Sequence, residues 1–81
     1  MLVTVRLFAR LREITGAPEL RIDVPGAGTV KDVWTALSDR YPALHGYAGS
    51  VSCAVNEDYT RMTAAVQDGD EVAFLPPVSG G

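Results

Sequence analysis

Near the N-terminus, apolar and polar residues alternate in two segments, and this is the period of a β-strand with one buried face. The first predicted strand runs from Leu2 to Phe8 and the second from Glu19 to Val24. Residues 9–14 lie between them and are predicted to form a short helical turn. Residues 15–18 contain a Gly and a Pro, which end this turn. The two strands are expected to form a hairpin. The parity of Phe8 places it on the face directed away from the core.

One amphipathic helix is predicted from about Val30 to Tyr41. Thr29, followed three residues later by Asp32, is close to a capping box, which satisfies free backbone N–H groups at the start of a helix. Pro42 ends the helix because it cannot donate a backbone hydrogen bond. The apolar positions recur at intervals of three and four residues and form one stripe, which we expect in the core: Val30, Val33, Trp34, Leu37 and Tyr41.

The second half of the chain reads as short strands separated by turns. The predicted elements are a loop or single turn over 43–50, a strand over 51–55, a turn at 56–58, a short strand over 59–62 and a last strand over 71–75. Val66 is expected to be buried just before a turn at Asp68 and Gly69. This order predicts a single α+β domain, with one helix across a mixed sheet of four to five strands.

The sequence of the C-terminal segment does not predict an element that packs on the core. Pro76 and Pro77 remove two backbone donors, so the last strand must end there and the chain must leave in an extended conformation. Residues 76–81 are predicted to form an extended mobile tail that reaches roughly 20 Å when fully extended. Gly80 and Gly81 carry no Cβ, so such a tip suits entry into a narrow channel of a partner. A frayed terminus is the alternative interpretation.

Length and composition exclude several classes of protein. The 81 residues suffice for one small domain, and 47% hydrophobic residues suffice for a core. A net charge of −3 argues against a nucleic-acid-binding protein, which needs a basic surface. No apolar run approaches the roughly 18 residues of a membrane span, and the N-terminus lacks the pattern of a signal peptide. We therefore expect a cytoplasmic protein with no membrane partner.

The side chains that usually carry chemistry have structural explanations here. Cys53 is a single cysteine at an inward position of a strand, so it is predicted to be a core residue and cannot form an internal disulfide. His45 has no second metal ligand or triad partner in view and is predicted to be solvated. Asp68 and Asp70 flank Gly69 in a turn, and Glu57 with Asp58 reads as a solvated hairpin tip. No metal site is predicted.

Three segments resemble one known family. The Asp-Gly-Asp-Glu-Val run at 68–72, the Phe-Leu-Pro-Pro-Val run at 74–78 and the terminal Gly80-Gly81 are similar to the MoaD/ThiS sulfur carriers, and most similar to the molybdopterin synthase small-subunit branch. Residues 5–13 and 54–56 extend the resemblance over residues 1–81. It implies a ubiquitin-like β-grasp fold with the first and last strands adjacent at the centre. Phe8 would then lie beside Ala73 and Leu75, opposite the helix.

The resemblance also implies a function in molybdenum cofactor biosynthesis. Gly81 would be adenylated with ATP by a partner similar to ubiquitin-activating enzymes, and sulfur would then convert it to a thiocarboxylate. The large subunit of a heterotetrameric molybdopterin synthase would accept this sulfur for the dithiolene and supply the catalytic side chains. This chain itself would bind no cofactor. Val78, Ser79 and Gly80 would enter the partner's site, while four residues would form the docking surface: Phe8, Leu75, Pro76 and Pro77.

Three alternative functions remain at this point. A carrier that supplies sulfur for thiamine or another thiolated product would share the Gly-Gly terminus. A ubiquitin-like modifier would instead be conjugated through Gly81 to a lysine of another protein. A plain interaction module with a frayed tail would be unaffected by deletion of the two terminal glycines.

Overall fold

The structure is a computed structural model that describes residues 1–26 and 28–77. Its elements are, in chain order, β1 (Leu2–Leu7), α1 (Ala9–Thr15), β2 (Glu19–Asp23), α2 (Val30–Arg40), a 3-10 helix (Pro42–Tyr47), β3 (Ser52–Val55), β4 (Asp58–Thr60) and β5 (Glu71–Leu75). Within these residues, the strands form one sheet in the order β2-β1-β5-β3-β4. Both the predicted α+β class and the central position of the first and last strands are confirmed.

The sheet is mixed, as predicted. β1 is antiparallel to β2 and parallel to β5, while β3 is antiparallel to both β5 and β4. The N-terminal hairpin of β1 and β2 is confirmed. β5 enters between β1 and β3, so it is bonded on both sides.

In the described part of the chain, no helix combines the length and apolar character needed to cross a membrane.

The core lies between α2 and one face of the sheet. The apolar stripe of α2 is buried over its first three turns, and Tyr41, at the end of the helix, is half-buried. The rings of Trp34 and Phe74 meet edge to face, with centroids 4.9 Å apart and an interplanar angle of 61°. Val66 is buried, as predicted. The strands contribute alternate residues to this core: Val3, Val5, Leu7, Ile22, Cys53, Val72 and Phe74.

The predicted capping box at the start of α2 is present. The backbone N–H of Asp32 donates to Thr29 Oγ1 at 3.3 Å, and the N–H of Thr29 donates to Asp32 Oδ2 at 3.0 Å. The N–H of Gly28 donates to the same carboxylate oxygen at 3.0 Å. These donors, Gly28 first and then Thr29, lower the pKa of Asp32 because they stabilise its ionised form. The helix therefore has a defined N-terminus.

The chain reverses sharply on both sides of α1. β1 ends at Leu7, one residue earlier than predicted, and Phe8 remains extended with φ −124° and ψ 154°. Ala9 then takes a left-handed φ of 50°, which starts the helix at an angle to the strand. Gly16 ends α1 with φ 76°, and its N–H donates to the carbonyl of Arg12 at 2.9 Å. The predicted helical turn is thus a seven-residue helix.

The turn between β3 and β4 differs from the prediction. It contains two residues, Asn56 and Glu57, and not three, because both adopt positive φ, of 49° and 74°. Two successive left-handed residues match the twist of the flanking strands, which is why tight hairpins favour them. Asp58 is therefore the first residue of β4 and pairs with Val55. The bounds of the predicted strand over 59–62 were wrong: β4 is Asp58–Thr60, so it begins one residue earlier and ends two residues earlier than predicted.

The turn that precedes β5 is fastened to β1. Asp68 accepts the backbone N–H of Leu2 at 2.7 Å, and the N–H of Gly69 donates to the carbonyl of Leu2 at 2.8 Å. The carboxylate of Asp70 accepts the N–H of Gln67 at 2.8 Å and the amide of Asn56 at 3.1 Å. The structural role predicted for these acids is confirmed, and the contacts set where β5 begins.

Replacement of Trp34 by Ala should lower the free energy of unfolding by about 3 to 5 kcal/mol, because it removes a large buried ring and leaves a cavity beside Phe74. Urea unfolding monitored by circular dichroism measures the change. Tyr59→Ala is the matched control: its ring is 75% exposed, so its loss should cost less than about 1 kcal/mol. Equal shifts in the two variants would contradict the position of Trp34 in the core.

Acid should weaken the fold partly through Asp70, whose pKa is lowered first by the Gln67 N–H and then by the Asn56 amide. A carboxyl with a lowered folded-state pKa contributes stability above its unfolded pKa of about 4 and loses it as the pH falls through the folded value. Below about pH 5, the melting temperature of Asp70→Asn should therefore fall less steeply with decreasing pH than that of the parent chain. Thermal unfolding across this range is the measurement.

The matched control for this experiment is Asp39→Asn, which changes the net charge equally. Asp39 is exposed on α2 and makes no side-chain hydrogen bond or ion pair within residues 1–26 and 28–77. It should keep the acid dependence of the parent chain. Identical profiles for Asp70→Asn and the parent would refute the role of Asp70.

Candidate functional site

The face of the sheet opposite α2 is the candidate functional surface. One row of neighbouring residues crosses it in register, because Arg6 pairs with Ala73, Ala73 with Ala54 and Ala54 with Tyr59. Alternate residues of each strand point to this face, since those between them are in the core. Two central alanines flanked by larger side chains make the middle of the face flat.

Large apolar side chains are exposed on this same face. Among the described residues, three large hydrophobic side chains are exposed: Leu2 at 46%, Phe8 at 37% and Tyr59 at 75%. The parity of their strands places all three on the side away from α2. The next step of the β1–β5 register beyond Leu7 and Phe74 places Phe8 across from Leu75, as expected. We call the surface formed by Phe8, Tyr59, Ala73 and Leu75, with the buried Ala54 between the strands that carry them, the open-face patch.

Charged side chains border the open-face patch. The guanidinium of Arg6 lies 5.5 Å from the centroid of the Phe8 ring and 3.6 Å from a carboxylate oxygen of Glu71. Both partners of this ion pair are partly exposed, so the pair adds little stability and fixes orientation instead. An apolar centre with a polar rim is the usual composition of a protein-binding surface.

The chain leaves the sheet at this patch. Leu75 is half-buried, pairs with Ser52 of β3 and ends β5, and Pro76 follows as a half-buried residue before the exposed Pro77. Gly81, which is predicted to carry the sulfur, lies outside the described residues, and so do the three residues predicted to enter the partner's site: Val78, Ser79 and Gly80. The structure therefore brings together Phe8, Leu75, Pro76 and Pro77 as the predicted docking residues, at the point where the tail begins.

The other candidate side chains do not form a reactive centre. Cys53 is buried, its Sγ lies 3.4 Å from the carbonyl oxygen of Thr60, and burial raises the pKa of its thiol. A raised pKa disfavours the nucleophilic thiolate. His45 is exposed on the 3-10 helix. Within residues 1–26 and 28–77, no cluster of His, Cys, Asp and Glu is arranged to hold a metal ion.

Sequence reasoning missed two members of the open-face patch, Ala54 and Tyr59. The alternation of β3 already places Ala54 opposite to Cys53, but the position of Tyr59 depends on the register of β3 with β4, and that register depends on the length of the turn. A two-residue turn at Asn56 and Glu57 places Tyr59 opposite Ala54, whereas a three-residue turn shifts the pairing. The asparagine was the available signal, because Asn tolerates a left-handed conformation.

Known proteins with similar sequences and structures share the fold described above. The ThiS family model matches residues 5–81. The molybdopterin synthase sulfur carrier subunit of Arabidopsis thaliana is 42% identical over 79 residues, which are 98% of this chain and 82% of that protein. The crystal structure of SAMP1 from Haloferax volcanii has a TM-score of 0.86 and 34% identity, with all of both chains covered.

This chain is also similar to one subunit of a solved protein–protein complex. A chain in the complex of subunits 1 and 2 of molybdopterin-converting factor from Helicobacter pylori matches with a TM-score of 0.68 and 28% identity, again over all of both chains. The ubiquitin-like β-grasp fold implied by the sequence is thereby confirmed. This chain belongs to the ThiS/MoaD family of sulfur carriers.

Proposed function

We propose that this chain is the sulfur carrier subunit of a molybdopterin synthase. The observation that carries the proposal is the position of the open-face patch at the root of a tail that ends in Gly80-Gly81. The relative from Arabidopsis thaliana bears this name at 42% identity, which supports the same assignment here. The body of the domain serves to bind partners, and the tail carries the reacting group.

The chemistry begins at the carboxylate of Gly81. A carboxylate is a poor electrophile, so an adenylating partner joins it to the α-phosphate of ATP and releases pyrophosphate. A hydrosulfide equivalent from a sulfur donor then attacks the acyl carbon, a C–S bond forms, and AMP leaves. The product is a C-terminal thiocarboxylate, whose sulfur is a soft nucleophile. ATP is thus consumed by the partner and is not a cofactor of this chain.

Delivery follows at a large subunit that holds the pterin precursor. The thiocarboxylate sulfur attacks the acceptor carbon and displaces an oxygen substituent from it, which leaves with the bonding electron pair, so that a thioester joins Gly81 to the acceptor. Water then attacks the acyl carbon and breaks its C–S bond. Sulfur remains on the acceptor for the dithiolene, and Gly81 regains its carboxylate. The complex of subunits 1 and 2 from Helicobacter pylori supports a large-subunit partner of this kind.

The open-face patch makes delivery efficient because it converts tail entry into an intramolecular event. Once Phe8 and Leu75 are docked, the tail tip is confined to within roughly 20 Å of the patch. Confinement on this scale corresponds to an effective concentration of about millimolar or more. Pro76 and Pro77 stiffen the root, so less conformational entropy is lost when the tail enters a channel.

Incubation of the chain with ATP, an adenylating enzyme and a sulfur donor should raise its intact mass by the exchange of one oxygen for sulfur. Fragmentation by mass spectrometry should place the exchange at Gly81. A variant lacking Gly81 should keep the melting temperature of the parent, because a glycine has no side chain to bury, but it should not donate sulfur to the large subunit.

Two results would overturn the proposed carrier chemistry, and a third would overturn the proposed acceptor. One is an unchanged mass of this chain after incubation with an activating enzyme that, in a parallel reaction, does modify a related carrier. The other is a covalent adduct in which Gly81 is joined to a lysine of another protein, which would identify a modifier, as the small archaeal modifier protein 1 of Haloferax volcanii is named. Transfer to a thiamine precursor and not to the pterin would reassign the acceptor while retaining the carrier chemistry.

Phe8→Arg should weaken binding of the large subunit about 10- to 100-fold, since a buried aromatic anchor at an interface is commonly worth that much. The new guanidinium would also repel Arg6, which lies over the native ring. Isothermal titration calorimetry measures the affinity. Ala43→Arg, which adds the same charge at an exposed site of the 3-10 helix, is the matched control and should bind normally. Equal affinities for both variants would show that the patch is not the docking surface.

A further inference from the structure

A pocket of about 480 Å³ opens on the helix side of the domain. It lies between α2, the 3-10 helix and the segment after β4, and its walls include Lys31, Trp34, Thr35, His45, Met62 and Thr63. The open-face patch is on the other side of the sheet, so the two surfaces do not overlap. The volume is in the range of pockets that hold small organic ligands.

The composition of the pocket is unusual for this chain. Lys31 is the only lysine and His45 the only histidine among 81 residues, and both line the same pocket. The chain has ten Asp and Glu residues, yet none of them lines the pocket. Lys31 forms no ion pair within the described part of the chain. An acidic protein thus places an unneutralised cation beside a mainly apolar surface.

One acidic group lies near the rim. Asp32 follows Lys31 in sequence, but its carboxylate accepts hydrogen bonds from the backbone of Gly28 and Thr29 and from the Thr29 hydroxyl. These contacts hold it at the end of α2. The ammonium of Lys31 therefore remains available to an anion in the pocket.

The indole of Trp34 forms an aromatic wall of the pocket. Its side chain is only 5% exposed, and the ring packs edge to face against Phe74 in the core. A wall held in this way is suited to contact with an apolar group of a ligand.

The pocket is formed before any ligand binds. The N–H groups of Val30 and Lys31 donate to the carbonyls of Ala64 and Met62 at 3.0 and 2.9 Å, which ties the segment after β4 to the start of α2. The hydroxyl of Ser38 donates to the carbonyl of Trp34 at 2.9 Å and so does not need a ligand. Fixed walls reduce the entropy lost on binding. Met62 can adjust its flexible side chain to the shape of the ligand.

We propose that this pocket binds a small organic carboxylate with an apolar body, such as an arylalkanoate. The apolar body lies against Trp34 and Met62, and the carboxylate lies between the ammonium of Lys31 and the hydroxyl of Thr35 or Thr63. This inference does not depend on the sulfur chemistry of the tail. It assigns a ligand site to the helix side of the domain.

Three probes of equal shape and different charge test the site: 4-phenylbutyrate, 4-phenylbutanol and 4-phenylbutylamine. Titration of the ¹⁵N-labelled full chain should move the single tryptophan indole signal and the amide signals of Lys31 and Thr63 in a saturable way. The carboxylate should bind most tightly and the amine least. Lys31→Gln should weaken the carboxylate about two- to five-fold and leave the alcohol unchanged, as expected for one exposed charge. Lys31→Arg should restore the preference.

A blocking variant completes the test. Ala48→Phe places a ring at the exposed edge of the pocket and should abolish binding of all three probes without loss of the fold. Equal affinities for the three probes, no effect of Lys31→Gln, or signal changes confined to Phe8 and Leu75 would each overturn the proposal. The last result would assign the probes to the open-face patch instead.

Discussion

The parallel pairing of β1 with β5 is the constraint on which the rest of the structure depends. These strands come from opposite ends of the described chain, so every other element must be accommodated in the connection between them. Parallel strands require a long crossover, and here the crossover includes α2, which covers one face of the sheet. The bonds from Asp68 and Gly69 to Leu2 hold the pair in register.

This pairing also decides where the tail leaves the domain. A last strand at the edge of a sheet would place its terminus at the rim, but β5 is bonded on both sides and ends between the end of β1 and the start of β3. Val72 and Phe74 are fully buried beneath α2, while Ala73 and Leu75 face the other way. One five-residue strand therefore anchors the core and supplies the centre of the open-face patch. Its rigidity positions the root of the tail relative to the patch.

Elements set by local chemistry were predictable from the sequence. The start of α2 follows from Thr29 and Asp32, its buried stripe follows from the spacing of apolar residues, and the end of β5 follows from Pro76. The outward position of Phe8 was also accessible, since parity depends only on strand period. The central pairing of β1 and β5 was different, because it came from the resemblance to a family and not from the pattern.

Features that depend on unusual backbone conformations or distant contacts were not predictable. Ala9 and Glu57 adopt left-handed conformations that their side chains do not favour, and the surrounding fold imposes them. The position of Tyr59 depends on that turn. The pocket gathers Lys31, His45 and Met62 from three separate segments, so nothing local in the sequence joins them. His45 is exposed, as predicted, but its place in the lining of this pocket could not be predicted from the sequence.

The two faces of the sheet suit a protein that must change partners. On the proposed function, both the adenylating enzyme and the large subunit must hold the same tail, so they cannot bind together and each must release the chain. A docking surface of a few apolar side chains, with Arg6 and Glu71 at its border, favours such reversible binding over the permanent contact of a large apolar interface. The pocket beside Lys31 lies on the helix side of the domain, away from the open-face patch. A ligand bound there would remain in place while the tail passes from one enzyme to the other.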